Sequence, residues 1–374
     1  MALQLPDFPW DSLAPFAARA REHPDGIVDL SVGSPVDATP DVVREALVAA
    51  TDAHAYPQTM GTPALREAIV RWFLRRRGVT LAGPDAVLPT IGSKELVALL
   101  PLLLGLGRDD VIVHPRTAYP TYAVGAALIG ARAVAEDDPA RWPEGTKLVW
   151  LNSPGNPDGA VLGVEQLRSA VRRARELGAV IVDDECYAEL GWEPEGWARD
   201  DSEVPERVPS ILAPEVCGDD HAGVLAVYSL SKQSNLAGYR AAFAAGDPAL
   251  IGALLEARKH AGLIPPAPVQ AAMVAALDDE AHVAEQRKRY RARRDALRTA
   301  LEGAGFRIDR SEAGLYLWAS RDEPCWATVE RLAAHGILVA PGSFYEGESS
   351  THVRFALTAS DERIAAAVAR LAAF

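Results

Sequence analysis

A chain of 374 residues can bury a large core and is long enough for about two to three folded units. Its composition, 49% hydrophobic and 24% charged, is that of an ordinary globular protein. A formal net charge of −13 with no basic stripe excludes a nucleic-acid-binding surface, and no apolar run approaches the ~20 residues of a membrane span.

Met1 to Trp10 is acidic and proline-bearing and lacks the basic and apolar regions of a signal peptide, so a cytoplasmic location is expected. Pro63 starts a helix with Leu65, Ile69, Val70 and Phe73 on one side, and Ser93 opens another through Glu95 to Leu104. Short β-rich runs follow at Val111 to Val113, Leu148 to Leu151, Ala179 to Val182 and Val224 to Tyr228. A helix over Val164 to Leu177, closed by Gly178, separates the second and third of these runs. Trp192 to Gly223, rich in proline and acid, reads as an irregular excursion. Beyond about Pro268 the pattern changes: one long helix over roughly Val269 to Leu301, with Arg287 to Arg294 as its exposed basic face, leads into Gly305 to Ile308, Leu315 to Trp318 and His352 to Ala356.

Strands separated by helix-length segments imply an α/β fold with a mostly parallel sheet between helices, and the last third implies a smaller α+β domain. The expected division is a large domain over 46–267 and a discontinuous small domain of 1–45 with 268–374. Cys186, Cys217 and Cys325 are widely spaced and odd in number, which fits neither a disulfide framework nor a zinc site, and no metal is expected.

In a parallel α/β sheet, ligands bind beyond the carboxyl ends of the strands, and the unusual polar residues of this chain gather there. Asn152 to Pro157 follows one β run, Asp183 to Tyr187 the next, and Ser229 to Lys232 a third. Lys232, flanked by hydroxyls and followed by Arg240, is a candidate carbonyl-capturing amine for pyridoxal 5'-phosphate (PLP). Asp184 is the candidate carboxylate for the pyridine nitrogen; its neighbour Asp183 would point to the opposite face of a strand. Asn156 and Tyr187 suit the cofactor's phenolic oxygen, and Tyr119 is available to stack on its ring. The turn Gly92-Ser93-Lys94, ahead of a helix, offers N–H groups and a hydroxyl to a phosphate. Arg354 is placed to take a substrate carboxylate.

With these residues assembled, the chain resembles the fold-type I, class I/II PLP-dependent aminotransferases. The matching motifs are Gly61 to Arg66, Gly92-Ser93-Lys94, Asn152 to Gly159, Asp184 to Tyr187, Ser229 to Arg240 and Val353-Arg354-Phe355, spread over most of the chain. The resemblance implies that Lys232 carries PLP as a Schiff base and shuttles the 1,3-proton, with Asp184 on the pyridine nitrogen. It also implies that Asn156 and Tyr187 bind the phenolic oxygen and that Tyr119 stacks on the ring. Ser229, Arg240, the Gly92-Ser93-Lys94 turn and Tyr56 from a neighbouring subunit would hold the phosphate; Arg354 and Gly33, helped by Asn156, would hold the substrate carboxylate. Homodimers with shared sites follow from the same likeness. One departure is Asp158, where the family usually has threonine; either serves a turn.

Within the family, the stretches Leu5 to Asp11, Asp29 to Asp37, Arg258 to Gly262 and Ala313 to Trp318 resemble the actinobacterial-type N-succinyldiaminopimelate aminotransferases of lysine biosynthesis. That implies a glutamate/2-oxoglutarate couple and an acidic acceptor, with Arg258, Lys259 and His260 as candidate extra cations. Another class I/II aminotransferase of different acceptor specificity, or a PLP-dependent carbon–sulfur lyase, would share the same cofactor apparatus, and fold alone does not separate them.

Overall fold

The computed structural model describes residues 5–192 and 207–374. Most of the acidic excursion expected after Trp192 lies outside the described residues; after it, Pro214–Cys217 forms a short helix. A short strand β1 (Val28–Asp29) precedes seven strands: β2 (Val87–Ile91), β3 (Val111–His114), β4 (Arg132–Ala135), β5 (Thr146–Leu151), β6 (Val180–Asp184), β7 (Val224–Ser229) and β8 (Ala241–Gly246). They form one sheet in the order β2-β8-β7-β6-β5-β3-β4. Pairings from β7 through β6, β5 and β3 to β4 are parallel, and β8 alone runs antiparallel to both its neighbours. The reversal at β8 restores β2 to the direction of β7, so the ends of β2, β5, β6 and β7 open on one edge. Strands β2, β4 and β8 were not legible as β runs in the sequence.

Both faces are buried along β3, β5, β6 and β7, which is why these strands read as continuous apolar runs rather than alternating ones, whereas the edge strand β4 is largely exposed. Val111, Val113, Val149, Ile181 and Phe243 pack into the core on one face, and Ile112, Leu148, Trp150, Val182 and Leu225 into the core on the other.

The last third adds β9 (Arg307–Asp309), β10 (Tyr316–Ser320), β11 (Ile337–Leu338), β12 (Ala340–Pro341) and β13 (His352–Ala356). A four-stranded antiparallel sheet in the order β12-β13-β10-β9 forms there, while β1 pairs in parallel with β11 and ties the N-terminal segment to it. We propose a large unit of 46–267 and a smaller one of 1–45 with 268–374. Helices Asp41–Ala49 and Ala267–Asp278 pack together at that division and contribute Val43, Met273 and Leu277 to the core beneath the large sheet.

Two sequence expectations are corrected here. The single long helix is two, Ala267–Asp278 and Ala281–Gly303. Asp279 interrupts it by accepting hydrogen bonds from the Ala281 and His282 backbone N–H groups, a local capping competition that apolar periodicity does not reveal. Nor is Arg287 to Arg294 a solvated face throughout. Arg293 and Arg294 are buried, the first paired with Asp37 and Asp361 and the second donating to the Ser311 carbonyl.

The loop that follows β6 is held from behind by a buried ion pair. Arg77 and Glu185, each with a side chain 1% exposed, meet at 2.8 Å, and Glu185 also accepts from Ser210 Oγ and the Ile211 N–H. Arg77→Met is expected to lower stability by about 3–5 kcal/mol in urea unfolding, because it strands a buried carboxylate. A loss below about 1 kcal/mol would show that Glu185 is already satisfied by its other two donors.

Candidate active site

A cavity of about 440 Å³ opens at the shared strand edge. Its walls include Gly33, Ser93, Lys94, Tyr119, Asn156, Asp184, Tyr187, Ser229, Lys232, Arg240 and Arg354, so residues far apart in the chain converge. Gly92 and Tyr56 are not among its wall residues, and Tyr56 is fully exposed at 99%.

Lys232 sits in the short helix Leu230–Gln233 that Ser229 caps at the end of β7, and its Nζ donates to the Gly33 carbonyl. The Ser229 and Ser231 hydroxyls lie 2.8 Å apart beside it. Arg240 takes a left-handed backbone (φ 56°), uncommon for a side-chain-bearing residue, and packs over Gly92. Gly92 itself has φ 77°, a backbone that side-chain-bearing residues rarely adopt, so the turn before helix Ser93–Leu103 favours glycine, and the Arg240 guanidinium lies against it. Ser93 accepts a hydrogen bond from the Cys186 thiol at 3.5 Å.

Asp184 and Asp183 separate as strand alternation requires. Asp184 faces the cavity, accepting from the Tyr122 hydroxyl at 3.1 Å and the Cys186 N–H at 3.3 Å. Burial raises its pKa, and among the described residues it has no cationic partner. Asp183 is turned away, accepts the Ser153 N–H, and is pushed well up by burial and the nearby Glu185.

Asn152, after β5, ties the site together: its Nδ2 donates to the Asp184 carbonyl and its Oδ1 accepts the Asn156 N–H, both at 2.8 Å. Asn156 Oδ1 accepts from Arg354 at 2.8 Å, while its Nδ2 has no partner among the described residues. Arg354, 2% exposed, also donates to the Ser31 carbonyl at 2.7 Å, and among the described residues it has no carboxylate partner and its buried Nε no hydrogen bond.

Three residues at this site were missed as site residues by sequence reasoning: Tyr122, Asn152 and Tyr316. Asn152 was findable as a polar residue at a strand end. Tyr316 was findable only once β10 was paired with β13, since it is a diagonal neighbour of Arg354 on the same face. The proposed extra cations are corrected. Arg258 is fully buried in a bidentate pair with Glu95, Lys259 pairs with Glu256, and neither they nor His260 lines the cavity.

Close by, His352 stacks flat on Trp318, the residue paired with Arg354, with its two ring nitrogens on Glu346 and Asp309. Burial alone would lower its pKa, but the two carboxylates outweigh that and raise it. A raised folded pKa gives stability present below the ordinary value of about 6.5 and lost as pH rises through the folded value. The melting temperature of the parent chain should therefore exceed that of His352→Gln most at about pH 6 and by less at about pH 8.5; a constant gap contradicts a charged His352.

The cavity thus combines a buried carboxylate lacking a cation, an unpartnered amide, an arginine-covered glycine turn with serine hydroxyls, and a buried guanidinium lacking an anion. These groups fit the pyridine nitrogen (the carboxylate accepting), and the phenolic oxygen and phosphate of PLP and the carboxylate of an amino acid (the others donating), respectively. Among the described residues no group of three or more His, Cys, Asp or Glu could hold a metal ion, and no helix is long and apolar enough to cross a membrane.

Comparison with known proteins agrees with this chemistry. The family model for aminotransferases of class I and II matches residues 25–371. The chain is 59% identical to the 4-dedimethylamino-4-oxo-anhydrotetracycline transaminase of Streptomyces rimosus, covering 98% of this chain and 99% of that one. It is 55% identical to a probable aminotransferase of Mycobacterium tuberculosis, over 99% of this chain and 86% of the relative. Among solved structures, a probable N-succinyldiaminopimelate aminotransferase of Thermus thermophilus superposes with TM-score 0.86 at 28% identity, over 98% of this chain and 100% of that one.

Proposed function

The chain belongs to the PLP-dependent class I and II aminotransferases, and on that premise we propose that it transfers the amino group of glutamate to N-succinyl-2-amino-6-oxopimelate. The observation that carries the acidic acceptor is Lys94. Its ammonium lines the same cavity as Arg354, leans on the Phe8 ring (5.4 Å) and the Tyr119 ring (5.8 Å), and has no carboxylate partner among the described residues. A substrate with carboxylates at both ends would place one on Arg354 and the other towards Lys94.

PLP supplies an electron sink for the substrate's α-carbon. In our reading Asp184 faces the ring nitrogen and keeps it protonated; the desolvated carboxylate and the cation offset each other's burial. Asn156 and Tyr187 donate to the phenolic oxygen, and Tyr119 covers the ring. The Ser93 N-terminal turn, Ser229 and Arg240 hold the phosphate, with the Gly92 and Lys94 backbone in the same turn. With PLP bound, Lys232 Nζ would be the base that takes the proton from the substrate α-carbon, a transfer that positioning makes effectively intramolecular. Arg354 orients the α-carboxylate against the Gly33 backbone. Tyr56, exposed in the single chain, serves the phosphate of a second copy, which makes the working unit a homodimer.

A second reading, an oxo-polyketide acceptor, is favoured by the 59% identity to the tetracycline-pathway transaminase and by the aromatic rings of Phe8 and Trp10 in the cavity wall. An acceptor panel with glutamate as donor decides between the two. The succinylated aldehyde should exceed simple 2-oxo acids, ornithine-type aldehydes and 4-oxo-anhydrotetracyclines by at least about tenfold in kcat/KM. Lys94→Ala should raise KM for the dicarboxylic acceptor about tenfold and leave that for pyruvate nearly unchanged. Equal effects on both would sink the succinyl assignment and leave the aminotransferase standing.

A further inference from the structure

Tyr316 occupies the junction of the groups on which the proposed reaction depends. It is 3% exposed and its ring lies 3.9 Å from the Arg354 guanidinium. Its hydroxyl is 3.2 Å from that of Tyr187, with the two rings at 73°. The same hydroxyl presses on Gly33, where a Cβ would collide with it, and the Gly33 carbonyl receives the Lys232 ammonium. The phenol therefore touches the carboxylate-binding arginine, the phenolic-oxygen donor and the backbone that the reactive lysine holds.

We propose that Tyr316 is a positioning residue: its hydroxyl donates to the Tyr187 oxygen and so turns the Tyr187 O–H into the cavity, while its ring carries the Arg354 guanidinium. The inference rests on the roles proposed for Tyr187 and Arg354. The geometry supplies the direction of the first contact. Tyr187 is the only hydrogen-bond partner of the Tyr316 hydroxyl among the described residues, and two hydroxyls sharing one contact must divide donor and acceptor between them. The Arg354 guanidinium, 3.9 Å from the Tyr316 ring, and the Lys232 ammonium on the Gly33 carbonyl beside the Tyr316 hydroxyl make Tyr316 the better donor of the two. Burial alone would raise the Tyr316 phenol, but the Arg354 and Lys232 cations outweigh it and bring it below its ordinary value. Burial and the neighbouring Tyr316 push Tyr187 well up, against the nearby Arg354. With Tyr316 donating, the proton on Tyr187 is free for the cofactor's oxygen.

The test reads the visible absorbance of bound PLP against pH. Proton loss from the cofactor system leaves negative charge beside the phenolic oxygen, so a good donor there favours loss; weakening Tyr187 must raise the midpoint. Tyr316→Phe should raise it by about half a unit and keep KM for glutamate within about twofold, because the ring stays under Arg354. Tyr316→Leu should raise the midpoint similarly and increase KM for glutamate about tenfold. In the Tyr187→Phe background, Tyr316→Phe should add no further shift. An unmoved midpoint in Tyr316→Phe, or additive shifts in the double variant, would overturn the relay; an unchanged KM in Tyr316→Leu would overturn the support of Arg354. A parent chain with no PLP absorbance at all would overturn the site reading itself, a different result from either.

Discussion

Lys232→Ala is expected to abolish transamination, with a loss of at least about 10⁵-fold, the scale of advantage that an intramolecular, oriented group holds over one drawn from solution. No other amine can replace it in place: Lys94, the other lysine in the cavity wall, is drawn between Phe8 and Tyr119. The Lys232 side chain, by contrast, is fixed at both ends. Its backbone lies in the capped turn that ends β7, and its ammonium is held by the Gly33 carbonyl. Reductive trapping followed by intact-mass measurement separates loss of the amine from loss of the fold. The parent chain should gain one PLP mass and the variant none, with melting temperatures close to each other. Turnover retained within about a hundredfold would remove Lys232 from the centre of the mechanism.

The second large effect is expected at Asp184. Asp184→Asn keeps the side chain's shape and its neighbours, the Tyr122 hydroxyl and the Cys186 N–H, but removes the charge. A pair of opposite charges about 4 Å apart at an effective dielectric near 20 is worth about 4 kcal/mol, or close to three decades at about 1.36 kcal/mol per decade. The half-reaction with glutamate, followed by stopped-flow absorbance, should therefore slow on the order of a thousandfold. Glutamate KM should move far less, since Arg354 and not Asp184 meets the substrate. Asp183→Asn is the contrasting variant. Its side chain faces away and binds the Ser153 N–H, so it should alter stability more than rate. If Asp183→Asn slowed the half-reaction more than Asp184→Asn, the assignment of the two carboxylates would be reversed.

Much of the site was legible because its chemistry sits at strand ends, where the sequence changes abruptly from apolar to polar. Val182 to Asp184 and Tyr228 to Lys232 are such steps, and each placed its residues on the correct edge of the sheet without any knowledge of strand order. The order itself was not legible: nothing local in Ala241 to Gly246, small residues around a single Phe243, announces an antiparallel strand between two that run the other way. Residues that join the site through packing were equally hidden. Tyr122 reaches Asp184 from a helix with little amphipathic pattern, and Tyr316 reaches Arg354 only through the register of two strands 36 residues apart. Arg258 shows the opposite error. As sequence it is one more cation beside Lys259 and His260, whereas in the fold it spans to Glu95 and is spent on structure.

Two glycines of the site have a practical meaning for anyone reshaping this enzyme. Gly33 lies beneath the hydroxyl of the buried Tyr316, and Gly92 holds a left-handed backbone that side chains rarely adopt, so most members of a library randomised at either position are expected to lose activity. Phe8 and Val32, about half exposed at the rim of the same cavity, carry no such restriction. A library confined to those rim positions would sample new acceptors while the machinery for the amino donor stays untouched.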